Sequence, residues 1–185
     1  MGVKLIAGPS NVGKSTAATV LAQAGGARVL EVDDLARCSS DPALAFERDP
    51  TVWAQPPSAL RDLLIGKGEA LWPEIERWIA ASASADRQTI IEGEGPSPSQ
   101  LLRAAKDHDA RAVFVVESNP RRLFHTVFGR SESFRRLPPL QQHNVTQMNV
   151  LYGEWLRDQC EVTSLPCLES QPWATLANRC ARALH

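Results

Sequence analysis

Short apolar runs alternate along this chain with longer stretches whose apolar residues recur every three or four positions. Val3-Lys4-Leu5-Ile6-Ala7, Arg28-Val29-Leu30-Glu31-Val32, Thr89-Ile90-Ile91, Ala112-Val113-Phe114-Val115-Val116 and Cys160-Glu161-Val162-Thr163-Ser164-Leu165 read as strands. The spacing of Leu60, Leu63, Leu64, Leu71, Ile75, Trp78 and Ile79 predicts one long or broken helix over 58–81, with Pro73 as a candidate kink. Further helices are predicted over 15–24, 139–158 and 173–184. Buried strands separated by helices imply a parallel sheet covered on both faces, a three-layer α/β sandwich. Pro56-Pro57, Pro96-Ser97-Pro98 and Pro138-Pro139 punctuate loops between elements.

Composition narrows the class. The 185 residues suit one domain spanning 1–185, and 43% apolar with 22% charged residues is a globular balance. A formal charge of -1 provides no global attraction to nucleic acid or to an anionic membrane, so neither is an expected partner. No apolar run approaches the roughly twenty residues that span a bilayer. The chain enters its first strand at once, so no signal peptide is expected. Cys38, Cys160, Cys167 and Cys180 form no C-x-x-C pair and no zinc spacing, so reduced thiols in a cytoplasmic setting are expected.

The most specific chemistry follows the first strand. Gly8-Pro9-Ser10-Asn11-Val12-Gly13-Lys14-Ser15 matches G-x-x-x-x-G-K-[ST] in full and is followed by Thr16. Glycines let backbone N–H groups curl around phosphate oxygens, and the start of the next helix adds unpaired donors and a favourable dipole. Lys14, read as an exposed loop residue, would reach the β- and γ-phosphates, and the Ser15 hydroxyl would ligate Mg²⁺. A bound nucleoside triphosphate is the expectation.

Ligands of open α/β sheets sit at the carboxyl ends of the strands. The second strand ends in Asp33-Asp34, with Arg37 three residues on. One carboxylate can cap the following helix while the other orients an acceptor hydroxyl or serves as base. Asp33 is favoured as the first residue past the strand. The third strand ends in Glu92-Gly93-Glu94-Gly95, an apolar strand finishing in an acid that can hold Mg²⁺; Glu92 is the choice and Glu94 the competitor.

Arg121, Arg122, Arg130, Arg135 and Arg136 crowd the span between strands four and five. Gly129 before Arg130 and the proline pair after Leu137 suggest a flap over about 129–138 that closes on the site and excludes water. Planar guanidinium groups match the equatorial oxygens of a transferring phosphoryl group, and Arg130 and Arg136 are the candidates.

With these features in order, the chain resembles the P-loop small kinases: nucleoside monophosphate kinases, shikimate and gluconate kinases, polynucleotide 5′-kinases and chloramphenicol phosphotransferase. The resemblance rests on GPSNVGKST, EVDDLAR, IIEGEG and the arginine flap, and runs the length of the chain. It implies ATP with Mg²⁺, a strand order 2-3-1-4-5 and Asp33 near the acceptor hydroxyl. It also implies an adenine pocket made by flap residues and the loop Leu168 to Pro172. The D-D-x-x-R spacing is similar to that of polynucleotide kinases and would make Asp34 the base, with Arg37 beside it. Counterparts of the arginines that bind a nucleoside monophosphate are missing.

The acceptor-binding region is expected over about 38–81. Phe46, Arg48 and Trp53 lie in a proline-bounded loop and suit a partly aromatic acceptor pocket, whereas Trp72 and Trp78 lie at helical spacing and should pack inward. The sequence therefore predicts a kinase, monomeric or homodimeric, acting on a hydroxyl of a small metabolite or antibiotic-like molecule. A nucleoside or nucleotide kinase is the alternative enzyme. A regulatory NTPase switch is the alternative of another class.

Overall fold

The strands β1 (Val3–Ala7), β2 (Arg28–Glu31), β3 (Thr89–Gly93), β4 (Arg111–Val116) and β5 (Cys167–Glu169) form one all-parallel sheet in the order β2-β3-β1-β4-β5. This computed structural model describes residues 2–38, 44 and 49–185. The helices are α1 (Lys14–Gly25), α2 (Val32–Cys38), α3 (Pro57–Ala83), α4 (Pro98–His108), α5 (Pro120–Arg130), α6 (Glu132–Arg135), α7 (Pro139–Thr163) and α8 (Trp173–Ala183), with a 3-10 turn at Pro50–Ala54.

Period-two alternation sends successive strand residues to opposite faces, and two cores result. Ile6, Ile90, Val113 and Val115 pack under α1 and α8, where Ala17, Ala18 and Ala22 let α1 lie close to the sheet. Leu5, Ile91, Phe114 and Val116 face the other way, onto Leu60, Leu64, Leu71 and Ile75 of α3 and Tyr152 and Leu156 of α7. Trp72 is buried and Trp78 half-buried, both against this second core. Helix α3 runs through Pro73, which lies on its exposed face.

Two boundaries differ from the pattern reading. Residues 160–163 are not a strand; they are the last turn of α7, and the fifth strand begins only at Cys167. Tyr152, Leu156 and Cys160 continue a buried stripe at four-residue spacing, and that stripe outweighs the β-branched pair Val162-Thr163. Val162 is accordingly exposed. The second strand also stops one residue early. Val32 opens α2, so Asp33 and Asp34 occupy that helix's first turn, where acidic side chains favour the positive end of the dipole.

Candidate active site

The loop between β1 and α1 turns over the end of β4. Gly8 has φ 144, and a Cβ there would lie 2.0 Å from the carbonyl oxygen of Val115, so only glycine allows this passage. Val12 tucks into the core beneath the loop. Gly13, at φ 94, precedes α1 without any side-chain cap, which leaves the helix's first N–H groups free for an anion. Lys14 is the first residue of α1 and only 7% exposed, buried rather than lying open as the sequence suggested. Its Nζ donates to the carbonyl of Pro9 at 2.7 Å, holding the loop closed on itself.

Ser10, Asn11, Lys14, Ser15 and Thr16 line a polar cavity of about 200 Å³, and Asp33, Glu92, Glu94 and Arg130 complete it. Glu92 arrives from inside β3, directly beside Ile6 in the sheet register. Burial pushes its carboxyl above the usual range, opposed by the Lys14 ammonium and a hydrogen bond with Ser15. The Glu92 Oε2 atom is buried without a hydrogen-bond partner. A buried orphan oxygen beside a serine hydroxyl fits a hard cation, and Mg²⁺ takes one or two carboxylates and completes its shell with phosphate and water. Among the described residues no group of three His, Cys, Asp or Glu could hold a metal by itself.

Glu94 does different work. Its Oε1 accepts the Ser10 N–H at 3.0 Å, and its Oε2 lies 4.0 Å from Lys67 Nζ, with both side chains almost fully buried. Lys67 reaches it because Gly68 packs on Gly95 so closely that a Cβ would stand 2.0 Å from the Gly95 carbonyl oxygen. Tyr152 hydrogen-bonds the Gly95 backbone, and burial raises its phenol well above the ordinary range. The strand-three loop is thus tied to the phosphate loop, to α3 and to α7. Lys67 and Tyr152 escaped the sequence reading, since at helical spacing each is indistinguishable from its neighbours.

A second cavity, about 300 Å³ and mostly apolar, adjoins the first through Gly13, Thr16 and Arg130. Its walls are Ala17 and Val20 of α1 and Trp173, Leu176 and Ala177 of α8. The Arg130 guanidinium lies 5.8 Å from the Trp173 ring centroid. Pro172, expected to line a base pocket, instead precedes α8, and its carbonyl accepts the Thr175 N–H. Trp173, one residue later, supplies the wall; a tryptophan opening a predicted helix beside that loop was the available signal.

The remaining candidates lie elsewhere. Asp34 and Arg37 pair with one another, and Arg37 also sits 3.9 Å from Glu31. Arg136 pairs with Glu132 along α6 and projects into solvent. Trp53 is 4% exposed, a core residue rather than an open pocket wall, because Asn144 of α7 holds its carbonyl at 3.1 Å and draws the 3-10 turn inward. The Phe134 ring of α6 packs edge-on against Trp53, centroids 5.3 Å apart. Phe46 and Arg48 lie outside the described residues.

No protein-family model matches the sequence, and no curated protein matches it significantly. Solved structures do. A shikimate kinase from Bacteroides thetaiotaomicron superposes with TM-score 0.58 at 14% identity, over 99% of this chain and 98% of that one. A gluconokinase from Sinorhizobium meliloti 1021 gives 0.56 at 16%, over 99% and 91%. A shikimate kinase from Acinetobacter baumannii, solved with shikimate, gives 0.51 at 13%, over 98% and 89%. With the sheet order and the phosphate loop, this full-length likeness shows that the chain has the P-loop kinase fold.

Proposed function

We propose that this chain is a kinase that moves the γ-phosphate of ATP to a hydroxyl of a small molecule. The observation that carries this reading is one cavity in which Lys14, Ser15, Asp33, Glu92 and Arg130 converge, continuous with an apolar cavity faced by Trp173. The apolar cavity suits a nucleoside base, and the polar one suits its phosphates. The neighbouring gluconokinase and shikimate kinases support the same class of chemistry.

The loop N–H groups and the start of α1 hold the phosphates, and Lys14 exchanges its bond to the Pro9 carbonyl for phosphate oxygens. Arg130 bridges both cavities, so it can steady the base stack and meet the transferring group. Ser15 and Glu92 would hold Mg²⁺, which neutralises charge developing on the phosphates. Glu92 suits that role better than Glu94, whose oxygens already serve Ser10 and Lys67. Asp33 faces the cavity, whereas Asp34 is occupied by Arg37, so Asp33 orients the acceptor hydroxyl and takes its proton late in transfer. The acceptor approaches between the β2 and β3 ends, beside the cavity that Asp33 and Glu92 share.

A pooled set of hydroxyl compounds incubated with ATP, Mg²⁺ and the protein should yield a phosphorylated product detectable by mass spectrometry. Asp33→Asn should then cut transfer by roughly 10²–10⁴-fold with ATP affinity nearly kept, and Asp34→Asn should do far less. Inactivity of Asp34→Asn alone would exchange their roles. ATP hydrolysis indifferent to every hydroxyl compound would favour a nucleotide switch instead.

A further inference from the structure

Away from the phosphate cavity, the turn joining α7 to β5 brings two cysteines together. Cys160 ends the buried stripe of α7, and Cys167 is the first residue of β5. Both line a cavity of about 470 Å³ that also includes Arg157 and Ser164, and each thiol lies close enough to shift the other's titration. The backbone holds this arrangement from both sides. Ser164 takes a left-handed conformation at φ 56, and the Leu165 N–H donates to the Cys160 carbonyl at 3.1 Å. On the strand side the Phe114 N–H donates to the Pro166 carbonyl at 2.8 Å, and Cys167 pairs in register with Phe114.

We propose that Cys160 and Cys167 form a peroxide-reactive dithiol, a modification site that closes reversibly to a disulfide across the α7–β5 turn. Cys167 is the attacking thiol: it is half-buried, faces the cavity and has the Arg157 guanidinium nearby. The neighbouring Cys160 thiol and the Arg157 charge favour the thiolate, against the opposing effects of burial and Glu169. Cys160, buried and held as the thiol, is the resolving group.

Atoms and electrons balance with a hydroperoxide as oxidant. The Cys167 thiolate attacks one peroxide oxygen, the O–O bond breaks, and with hydrogen peroxide the protonated leaving oxygen departs as water. Cys160 sulfur then attacks the resulting sulfenic sulfur, the S–O bond breaks, and that oxygen leaves with the Cys160 proton as a second water. Two thiols lose two electrons in total, and a dithiol reductant reverses the change. The other cysteines provide internal controls. Cys180 is buried under α8 with its thiol pushed up to about 11, and Cys38 is exposed at the end of α2.

Both thiols fall in one tryptic peptide, Asp158 to Arg179, which makes the test direct. The reduced full-length chain is treated with dilute hydrogen peroxide, alkylated and digested. The expected result is that this peptide loses two hydrogens, escapes alkylation at both cysteines, and recovers both sites after dithiothreitol. Cys160→Ala should leave a sulfenic acid on Cys167 that dimedone traps, and Cys167→Ala should leave Cys160 unoxidised at the same dose. Wild-type peptide that stays alkylatable at both cysteines, or that carries a sulfinic acid on Cys167 without any disulfide, overturns the proposal. The outcome is independent of the kinase reading, since it is measured on the chain without nucleotide.

Discussion

A carboxylate buried with one oxygen unpartnered costs stability, and Glu92 is such a group. Because burial raises its folded-state pKa, the folded chain keeps the Glu92 proton to higher pH than the unfolded chain does. Its contribution to stability is therefore greatest below the ordinary carboxylate range and is lost as pH rises through the raised value. Glu92→Gln should raise the Tm of the nucleotide-free protein at neutral pH, with the gain shrinking as pH falls towards about 4. The same variant should lose Mg²⁺-dependent turnover. Thermal scans at the two pH values, beside a Mg²⁺ titration of activity, check both halves. A Tm gain that is equal at both pH values would mean that charge is not the cause. Residue identity alone indicated an acid at a strand end; burial and the missing partner needed the fold.

At the scale of elements, the segment 129–138 shows why sequence crowding misleads. Arg130 and Arg136 are six positions apart, but Arg130 ends α5 over the site whereas Arg136 turns outward to Glu132. Ser131 caps α6 by accepting the Phe134 N–H, and that short helix carries Phe134 down onto Trp53. Arg130→Ala should lower kcat on the order of 10²-fold, as loss of a preorganised charge contact does, and lysine should rescue it poorly. Arg136→Ala, which breaks only an exposed pair, should stay within about twofold. Steady-state kinetics on both variants, once an acceptor is identified, decides between them. A similar logic applies where α3 meets the end of β3. Lys67→Met leaves the Glu94 charge buried beside the Ser10 N–H and should destabilise by roughly 3 kcal/mol. For a chain of this size that is a fall in Tm of about 10 °C. Lys67→Met with Glu94→Gln together should recover much of it, and a double-mutant cycle by thermal melting measures the coupling.

Across the whole molecule, the proposed nucleotide site joins elements that are far apart in sequence. The phosphate loop, the β3 end, the α5 end and the α8 start all contribute to the two adjoining cavities, so a ligand there should stabilise the folded state as a unit. MgATP at a hundredfold over its Kd should add about 2.7 kcal/mol, visible as a rise in Tm. Lys14→Ala should abolish that rise and reduce phosphoryl transfer on the order of 10³-fold. An unchanged thermal shift in Lys14→Ala would remove the phosphate-loop reading. The glycine-rich loop, the parallel sheet and the helices α1, α3, α7 and α8 were legible in the sequence because each depends on local pattern: glycine spacing, apolar runs and four-residue stripes. The end of α7 was misread for the same reason, since a β-branched pair outweighed locally a stripe that only packing reveals. Pattern alone favoured Asp33 by its place after the strand but kept Asp34 as a rival. The turn of α2 separates them, aiming one into the cavity while the other pairs with Arg37. Lys67, Tyr152 and Trp173 belong to the site only because the sheet order brings β3, β1 and β4 side by side and lays α3, α7 and α8 against their ends. Adjacency of that kind arises between residues distant in the chain, and no local spacing records it.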